Sequence, residues 1–139
     1  MTIHKIESFD ELLGLAPAII KEKRELGNVW APESITDFSA NLFANFSQGF
    51  YFGEAEGDKL LYLCCILPQG NENVHFWLFY VSKELYGETP GIVAQLKSYF
   101  RELGFSKVTT STNRNQGSYR RWVKKFGLSP VYTTYEGDI

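Results

Sequence analysis

The segment from Val74 to Val81 (VHFWLFYV) is apolar at nearly every position, and this run constrains the fold more than any other feature of the chain. A strand with one face in water alternates apolar and polar residues, whereas a strand covered on both faces does not. The segment therefore predicts a central strand of a sheet, with helices packed above and below it. At 139 residues and 44% hydrophobic, the chain has the length of one domain.

Two turns place this strand in a meander. Phe50 to Glu54 and Leu60 to Leu67 are aromatic and aliphatic runs, joined by Glu56-Gly57-Asp58, where glycine can adopt the left-handed conformation of a hairpin turn. Gln69-Gly70-Asn71-Glu72-Asn73 forms a second turn. We therefore predict three consecutive antiparallel strands.

Helical spacing of apolar residues dominates the region before the meander. Ser8 is a candidate N-cap for a helix that Gly27-Asn28 ends, and Pro17 is expected to kink this helix or to start a second one. A further helix is predicted from Glu33. A short strand from Ile3 to Ile6 precedes these helices.

Helices and strands alternate in the last third of the chain, with almost no spare residues between them. We predict a helix from Ile92 to Leu103, a strand from Lys107 to Thr112, a helix from Gln116 to Phe126 and a final strand from Pro130 to Tyr135. The order is strand, two helices, three antiparallel strands, helix, strand, helix, strand. It predicts an α/β fold in a single domain, residues 1–139.

Charge and composition argue against several classes of partner. The formal charge is −2, from 14 Lys and Arg against 16 Asp and Glu, so nothing steers the whole protein toward nucleic acid or an anionic membrane. The first residues lack the apolar core of a signal peptide, and no window approaches the roughly 20 apolar residues that span a bilayer. We therefore expect a soluble, cytoplasmic protein without a membrane partner, and the overall charge does not favour nucleic acid, although local basic patches remain open.

The two cysteines, Cys64 and Cys65, are adjacent in an apolar run. Neighbours on a strand point to opposite faces and make poor disulfide partners, so two buried, reduced thiols are expected. Metal-ligand spacing is absent, because His4 and His75 are far apart and the cysteines lack a gap between them. No metal site is therefore predicted.

The order of elements, together with the segment from Phe79 to the end, resembles the GNAT superfamily of acyl-CoA N-acyltransferases. In that family an R-G-x-G-x-G loop follows the central strand, and its backbone N–H groups bind the pyrophosphate of acetyl-CoA at a helix N-terminus. The successive places of that pattern are taken here by Tyr86, Gly87, Glu88, Thr89, Pro90 and Gly91. The resemblance implies that acetyl-CoA is bound near Phe79 and Val81 on the strand and at Gly87, Thr89 and Gly91. It also implies a mixed, mostly antiparallel sheet flanked by helices on both faces, in which the central strand splays from a parallel partner, the strand from Lys107 to Thr112.

The loop departs from the family pattern at several places. Tyr86 replaces the arginine, Glu88 puts a carboxylate beside the diphosphate, and Pro90 has no N–H to donate. If Thr89 caps the helix and Pro90 is its first residue, the missing donor is dispensable, and Gly91 keeps the approach open. An ordinary loop and helix start accounts for the same residues equally well.

A second block, from Asn113 to Leu128, is similar to the family's asparagine after the fifth strand and to the helix that follows it. The resemblance implies that Asn113 and Ser118 contact the cofactor. The tyrosine with which many members protonate the thiolate of CoA would fall at Val123. Tyr119 lies one turn earlier on the same face and is the candidate general acid; the alternative is a tyrosine of the core.

The family often places a general base on the central strand, where this chain offers His75. A histidine titrates near neutrality and can accept a proton, although a lone histidine on an aromatic strand is commonly structural. Glu54 is a remoter candidate. A set of basic residues near the C-terminus forms either a solvated face or a contact for CoA phosphates, nucleic acid or an acidic partner: Lys107, Arg114, Arg120, Arg121, Lys124 and Lys125.

Two functions remain open. The first is acetyl-CoA-dependent N-acetyl transfer to a small-molecule or peptide amine, which works mainly by positioning the thioester. The second is a non-catalytic interaction or structural module of GNAT fold. Tailed-phage virion components include GNAT-like proteins whose spacing of asparagine, serine, aromatic residue and glycine is similar to that of Asn115, Ser118, Trp122 and Gly127.

Overall fold

The computed structural model describes residues 1–26, 34–111, 129–131 and 134–139, and the architecture below refers to these residues. Three α-helices and six strands follow one another along the chain, with 3₁₀ helices at Phe46–Gln48 and Lys83–Glu88. They are α1 (Phe9–Leu26), α2 (Ile35–Ala44), β1 (Phe50–Glu56), β2 (Lys59–Gln69), β3 (Asn73–Val81), α3 (Thr89–Glu102), β4 (Lys107–Ser111), β5 (Ser129–Val131) and β6 (Thr134–Asp138).

The strands form one sheet in the order β1-β2-β3-β4-β6-β5. Neighbouring strands are antiparallel except β3 and β4, which are parallel and are connected through α3. This topology confirms the prediction of a mixed, mostly antiparallel sheet with the Val74 to Val81 strand at its centre. The predicted parallel pairing of that strand with the strand at Lys107 is also confirmed.

Helices cover both faces of the sheet, as the uninterrupted apolar run on β3 predicts. One face meets α1 and α2 in a first hydrophobic core, here named the α1/α2 core, which includes Leu12, Ile19, Phe38, Leu42, Tyr51, Leu63, Cys65 and Leu78. The other face meets α3 in a second one, here named the α3 core, which includes Phe52, Tyr62, Cys64, Ile66, Val74, Val81, Ile92, Leu96 and Phe100.

Phe100 fixes α3 against the sheet. Its side chain is only 1% exposed. Its ring meets Phe50 at 5.2 Å and Phe105 at 6.0 Å between centroids, both edge to face. Such pairs contribute about 0.5–1.5 kcal/mol each beyond the burial of their surface. The position of α3 relative to the central strand is therefore set by a cluster of rigid rings.

The two predicted turns of the meander are confirmed. Gly57 joins β1 to β2 with a φ of +61°, and Gly70 joins β2 to β3 with a φ of +71°. A side chain at either position would face a steric penalty, because L-residues other than glycine rarely adopt positive φ.

Pro17 does not start a second helix, which is one of the two outcomes predicted for it. α1 runs without a break from Phe9 to Leu26, with the proline inside it. Pro17 itself is exposed, whereas Leu12 before it and Ala18 and Ile19 after it are buried in the α1/α2 core. Packing of both halves on one core outweighs the loss of one backbone hydrogen bond.

The predicted first strand, Ile3 to Ile6, is reduced to a single antiparallel bridge between Lys5 and Phe52. Its neighbours add two backbone hydrogen bonds to β1, from Ile6 N–H to the Tyr51 carbonyl at 2.8 Å and from Gly53 N–H to the His4 carbonyl at 3.1 Å. The segment thereby covers the edge of β1, which would otherwise present unpaired backbone groups.

The end of the chain differs from the single strand predicted for Pro130 to Tyr135. It forms two antiparallel strands, β5 and β6, in which Val131 pairs with Thr134. β6 then pairs with β4 from Lys107 to Ser111. The β-branched and aromatic residues of this run fit one strand as well as two, so the sequence could not predict the pairing of β5 with β6. The helix predicted from Gln116 to Phe126 lies outside the described residues.

Candidate functional site

The central strand loses its parallel neighbour halfway along its length. β3 pairs with β4 only from Asn73 with Lys107 to Phe76 with Thr110, yet β3 continues to Val81. The next residue of β4, Ser111, pairs with Thr134 on β6. Within the described part of the chain, the β4-facing edge of β3 beyond Phe76 therefore has no partner strand. Unpaired backbone groups on a strand edge can pair with an extended amide-containing ligand.

A β-bulge lies at the same point of β3. Phe76 pairs with Ile66 and Leu78 with Cys65, so Trp77 is an extra residue without a partner on β2. The bulge changes which face the side chains occupy. Phe76 and Phe79 both pack on the α3 core, whereas Trp77 packs on the α1/α2 core. An alternating pattern cannot be read from an all-apolar run, so this bulge could not be predicted from the sequence.

Phe79 and Val81, the predicted cofactor contacts on the strand, lie on β3 beyond Phe76, the last residue that pairs with β4. The Phe79 ring stacks on Phe76 at 6.3 Å with an interplanar angle of 16°. Val81 is 7% exposed and belongs to the α3 core. Their side chains are therefore part of the packing between β3 and α3. A ligand would contact these two residues through their backbone groups at the edge of the strand.

The segment predicted to form an open glycine loop is helical. The 3₁₀ helix Lys83–Glu88 runs directly into α3, and neither Gly87 nor Gly91 has a positive φ. Added Cβ atoms at Gly87 and Gly91 would meet nothing within 4 Å. These two glycines therefore border open space at the start of α3, as an approaching ligand would require.

Thr89 does not cap α3, contrary to prediction. The N-cap is Glu88, with φ −86° and ψ −8°, and it makes no side-chain capping bond. Thr89 is the first residue of the helix and is buried, and its N–H donates to the Tyr86 carbonyl. The preceding 3₁₀ helix moves the helix start back to Thr89, which leaves Pro90 in the first turn, where a missing N–H is tolerated.

Glu88 lies at the position where the N-terminus of α3 favours an anion. Its carboxylate is 48% exposed, and its Oε2 atom lies 3.5 Å from the amino nitrogen of Met1. The N-terminal segment reaches this point because Gln95 of α3 holds it by two bonds. Gln95 Nε2 donates to the Met1 carbonyl at 2.7 Å, and Gln95 Oε1 accepts from Ile3 N–H at 2.9 Å.

His75, the candidate base, lies on the face of β3 that meets the α1/α2 core. Its Nδ1 is 2.8 Å from Thr109 Oγ1 of β4. Burial lowers the pKa of His75 below its ordinary value. The imidazole is therefore held in its neutral form at neutral pH, which is the form that accepts a proton.

Glu54, the remoter candidate, is on the opposite face of the sheet from His75. Its Oε1 accepts a hydrogen bond from the Tyr62 hydroxyl at 2.8 Å, and that hydroxyl accepts from His4 N–H at 2.7 Å. Tyr62 belongs to the α3 core. The structure therefore does not bring Glu54 and His75 together, and Glu54 has a structural role in holding the N-terminal segment.

Sequence reasoning missed a phenol on β3 beyond Phe76, Tyr80, and the carboxylate that interacts with it, Glu22 of α1. Burial raises the pKa of Tyr80, and the carboxylate of Glu22 on α1, which also interacts with the phenol as a hydrogen-bond partner, raises it further. Tyr80 packs against the α1/α2 core, the side that carries Trp77. Glu22 and Tyr80 are far apart in the sequence, so the helical pattern around Glu22 could not have indicated their contact.

Several predicted site residues lie outside the described residues: Asn113, Ser118, Tyr119, Val123 and the basic side chains from Arg114 to Lys125. Among the residues that are described, no three His, Cys, Asp or Glu side chains converge as metal ligands would. No helix within the described ranges is long and apolar enough to cross a membrane.

Solved structures of the GNAT family share this architecture along the whole chain. An acetyltransferase of the GNAT family from Staphylococcus aureus Mu50 has a TM-score of 0.71 at 10% identity, covering 99% of each chain. The PaiA N-acetyltransferase from Thermoplasma acidophilum, solved in complex with coenzyme A, has a TM-score of 0.68 at 12% identity and covers 100% of both chains.

The ribosomal-protein-S18-alanine N-acetyltransferase from Escherichia coli is a third such structure, with a TM-score of 0.70 at 13% identity, covering 99% of this chain and 93% of that one. Neither a scan of protein-family models nor a search of curated proteins gave a match. The structural matches show that this chain has the GNAT fold.

Proposed function

We propose that this chain, which has the GNAT fold, is an acyl-CoA-dependent N-acyltransferase that acetylates a small-molecule or peptide amine. The observation that carries the proposal is the edge of β3 beyond Phe76. β3 is a central strand whose pairing with β4 ends at Phe76. The chain then continues through Val81 and the 3₁₀ helix into α3. An extended pantetheine arm carries amides that can pair with such an edge.

The residues at the start of α3 fit the diphosphate of acetyl-CoA in part. Gly87 and Gly91 leave the approach open. Pro90 lies where the helix itself needs no N–H donor, but it offers none to the diphosphate. Glu88 opposes an anion, although its carboxylate lies within 3.5 Å of the Met1 amino group. We assign the backbone of Gly87 to Gly91 to the diphosphate, and the backbone near Phe79 and Val81 to the pantetheine arm.

Acetyl-CoA supplies an acyl group activated as a thioester. The protein's contribution is to hold the amine against it and to manage two protons. His75, neutral because burial lowers its pKa, accepts a proton from the amine. Tyr119, Asn113 and Ser118 keep the roles that the resemblance implies, general acid for the first and cofactor contact for the other two.

The test is calorimetric titration with acetyl-CoA, followed by mass spectrometry of a panel of amines incubated with protein and acetyl-CoA. Binding together with an N-acetylated product supports the proposal. Binding without product from any amine leaves a CoA-binding protein and contradicts the assignment of catalysis. Absence of both binding and product replaces the enzyme with the second candidate function.

That second candidate is a non-catalytic interaction or structural module of GNAT fold, of the kind the phage-like spacing suggests. Glu88 and Pro90 are the observations that favour it. A carboxylate and a residue without an N–H at the start of α3 cost an enzyme affinity for a diphosphate, whereas they cost a scaffold nothing.

A further inference from the structure

A side-chain hydrogen bond reinforces the last pair of residues that joins β3 to β4. Phe76 and Thr110 form this pair, and Thr110 Oγ1 donates to the Phe76 carbonyl at 3.1 Å. Thr110 is only 6% exposed, so little water competes for the bond. Because its donor belongs to β4, the Phe76 carbonyl points toward β4, and the hydroxyl holds it there at the point where the two strands part.

The backbone hydrogen bonds of β3 show which of its residues face the free edge beyond Phe76. Ser82 N–H donates to the Leu61 carbonyl at 2.9 Å, so the backbone of Ser82 points toward β2. Successive residues of an antiparallel strand point their backbone groups alternately toward the partner and away from it. The N–H and C=O groups of Val81 and Phe79 therefore point away from β2, toward the side that β4 occupies earlier along the strand.

The bulge in β3 determines that these two residues face the edge. Regular alternation from Phe76 would turn Leu78 and Tyr80 toward β4. The extra residue, Trp77, shifts the alternation by one position, so that Leu78 pairs with β2 instead. The direction of the edge groups beyond the bulge thus depends on how the chain bends between Phe76 and Leu78. The Phe76 carbonyl, which Thr110 holds, is the fixed end of that bend.

We propose that Thr110 is a positioning residue for the acyl-CoA cofactor. Its hydroxyl fixes the Phe76 carbonyl, and through the bulge it aims the backbone groups of Phe79 and Val81 at the amides of the pantetheine arm. Thr110 itself does not touch the cofactor. The inference rests on the proposed function, because it concerns how the same site binds acetyl-CoA.

Calorimetric titration of three variants with acetyl-CoA tests this role. Thr110→Val keeps the shape of the side chain without its hydroxyl and should raise the Kd for acetyl-CoA roughly tenfold, whereas Thr110→Ser keeps the hydroxyl and should bind like the wild type. Tyr51→Phe is the matched control, because it deletes another buried hydroxyl that donates to a backbone carbonyl, that of Leu42. Tyr51 lies on β1, which β2 separates from β3. Thr110→Val and Tyr51→Phe should both lower the urea midpoint, but only Thr110→Val should weaken binding.

Amide hydrogen exchange, measured by NMR, gives a second readout that does not depend on turnover. In the wild type, acetyl-CoA should slow exchange of the Phe79 and Val81 N–H groups and leave Leu78 and Tyr80, which face β2, unchanged. In Thr110→Val saturated with acetyl-CoA, the slowing at Phe79 and Val81 should be smaller. Equal slowing in the variant and the wild type would show that the edge groups are aimed without the hydroxyl, and would overturn the proposal.

The outcomes separate this inference from the proposed function. Weaker binding by Thr110→Val that Thr110→Ser restores and Tyr51→Phe does not share supports the inference. An equal loss in Tyr51→Phe overturns it, because destabilisation alone then weakens binding. Wild-type affinity in Thr110→Val also overturns it, and if the wild type acetylates an amine, the proposed function stands. If binding depends on Thr110 but no acetylated product forms, the enzymatic proposal fails and the positioning role stands. No binding of acetyl-CoA to the wild type overturns both.

Discussion

Cys64 and Cys65 are consecutive residues of β2, and their side chains lie in the two separate hydrophobic cores on opposite faces of the sheet. Both are free thiols with no exposed surface. The pair marks β2 as the strand on which the two cores meet. It also confirms the prediction of two buried thiols that point to opposite faces of the sheet.

The first prediction concerns these thiols. Burial raises the pKa of both, so neither forms a thiolate at pH 8. Incubation of the native protein with iodoacetamide at pH 8 should leave both unmodified by mass spectrometry, whereas two adducts form in denaturant. Rapid modification of either cysteine in the native protein would contradict the packing of β2.

The second prediction compares two glycines. A Cβ at Gly49 would lie 2.9 Å from the Ile66 carbonyl oxygen and 2.9 Å from a methyl group of Leu67, whereas a Cβ at Gly14 meets nothing within 4 Å. Gly49→Ala should lower the free energy of unfolding by about 1–3 kcal/mol. Gly14→Ala, in the exposed interior of α1, should raise it by about 0.5–1 kcal/mol.

Urea denaturation of both variants is the measurement. Gly14→Ala serves as the matched control, because the two substitutions are chemically identical and differ only in their surroundings. A Gly49→Ala variant with an unchanged free energy of unfolding would show that β1 and β2 can move apart at this point without destabilising the protein.

The strands and turns that could be predicted carry local signals. Gly57 and Gly70 indicate the two turns, and the apolar run that ends at Val81 indicates a central strand. The features that were missed depend on contacts distant in sequence. Nothing near Trp77 indicates a bulge that is defined by its pairing with β2, and nothing near Glu22 points to Tyr80.

Local rules also failed where tertiary packing outweighed them. Pro17 is a helix breaker by itself, yet the buried residues around it hold α1 together. For the same reason the loop pattern at Gly87 could not show that this segment is a 3₁₀ helix continuous with α3. The sequence therefore predicts which helices and strands form the candidate site. Only the structure shows on which face of the sheet each side chain lies.

The third prediction is a pH dependence of stability from His4 and Glu11. The His4 Nε2 contacts a carboxylate oxygen of Glu11, and this hydrogen bond raises the pKa of His4 above 6.5 and lowers that of Glu11 below 4.5. The contribution of His4 is therefore complete below about pH 6.5 and disappears as the pH rises through its raised pKa. That of Glu11 disappears as the pH falls through its lowered pKa.

Thermal unfolding of His4→Gln between pH 5 and pH 9 tests this. The variant should be less stable than wild type near pH 6, by at most about 1 kcal/mol because the pair is exposed, and equally stable near pH 9. Asp58→Asn is the control, because it breaks the exposed ion pair with Lys21, in which the pKa of the lysine is raised above 10.5 and that of the aspartate is lowered below 3.8, so that both groups stay charged across this range. A difference independent of pH would show that His4 acts through packing alone.

The fourth prediction concerns Glu88. If the diphosphate of acetyl-CoA binds at the start of α3, Glu88→Gln removes a repulsive charge and should tighten binding about fivefold, on the order of 1 kcal/mol. The gain should shrink at high salt. Glu84→Gln removes a carboxylate that is paired with Lys59 at 2.8 Å, near the other end of the same 3₁₀ helix, and is the charge-matched control.

Calorimetry with acetyl-CoA at low and high salt gives the comparison. Equal tightening by both variants would indicate a general effect of net charge. Unchanged or weaker binding by Glu88→Gln would move the diphosphate away from this helix.

The last prediction concerns His75 as the base in the proposed transfer. Burial lowers its pKa below 6.5, and only the neutral imidazole accepts a proton, so kcat/KM should rise with pH to a plateau with a midpoint below 6.5. His75→Gln should lower kcat roughly 100-fold and remove this inflection. Thr109→Val, which deletes the partner of Nδ1, should retain the inflection because the base remains. Steady-state rates across the pH range are the measurement. If the His75→Gln enzyme has the turnover and pH profile of the wild type, the histidine is a structural residue of the sheet. The amine must then lose its proton to water or another group.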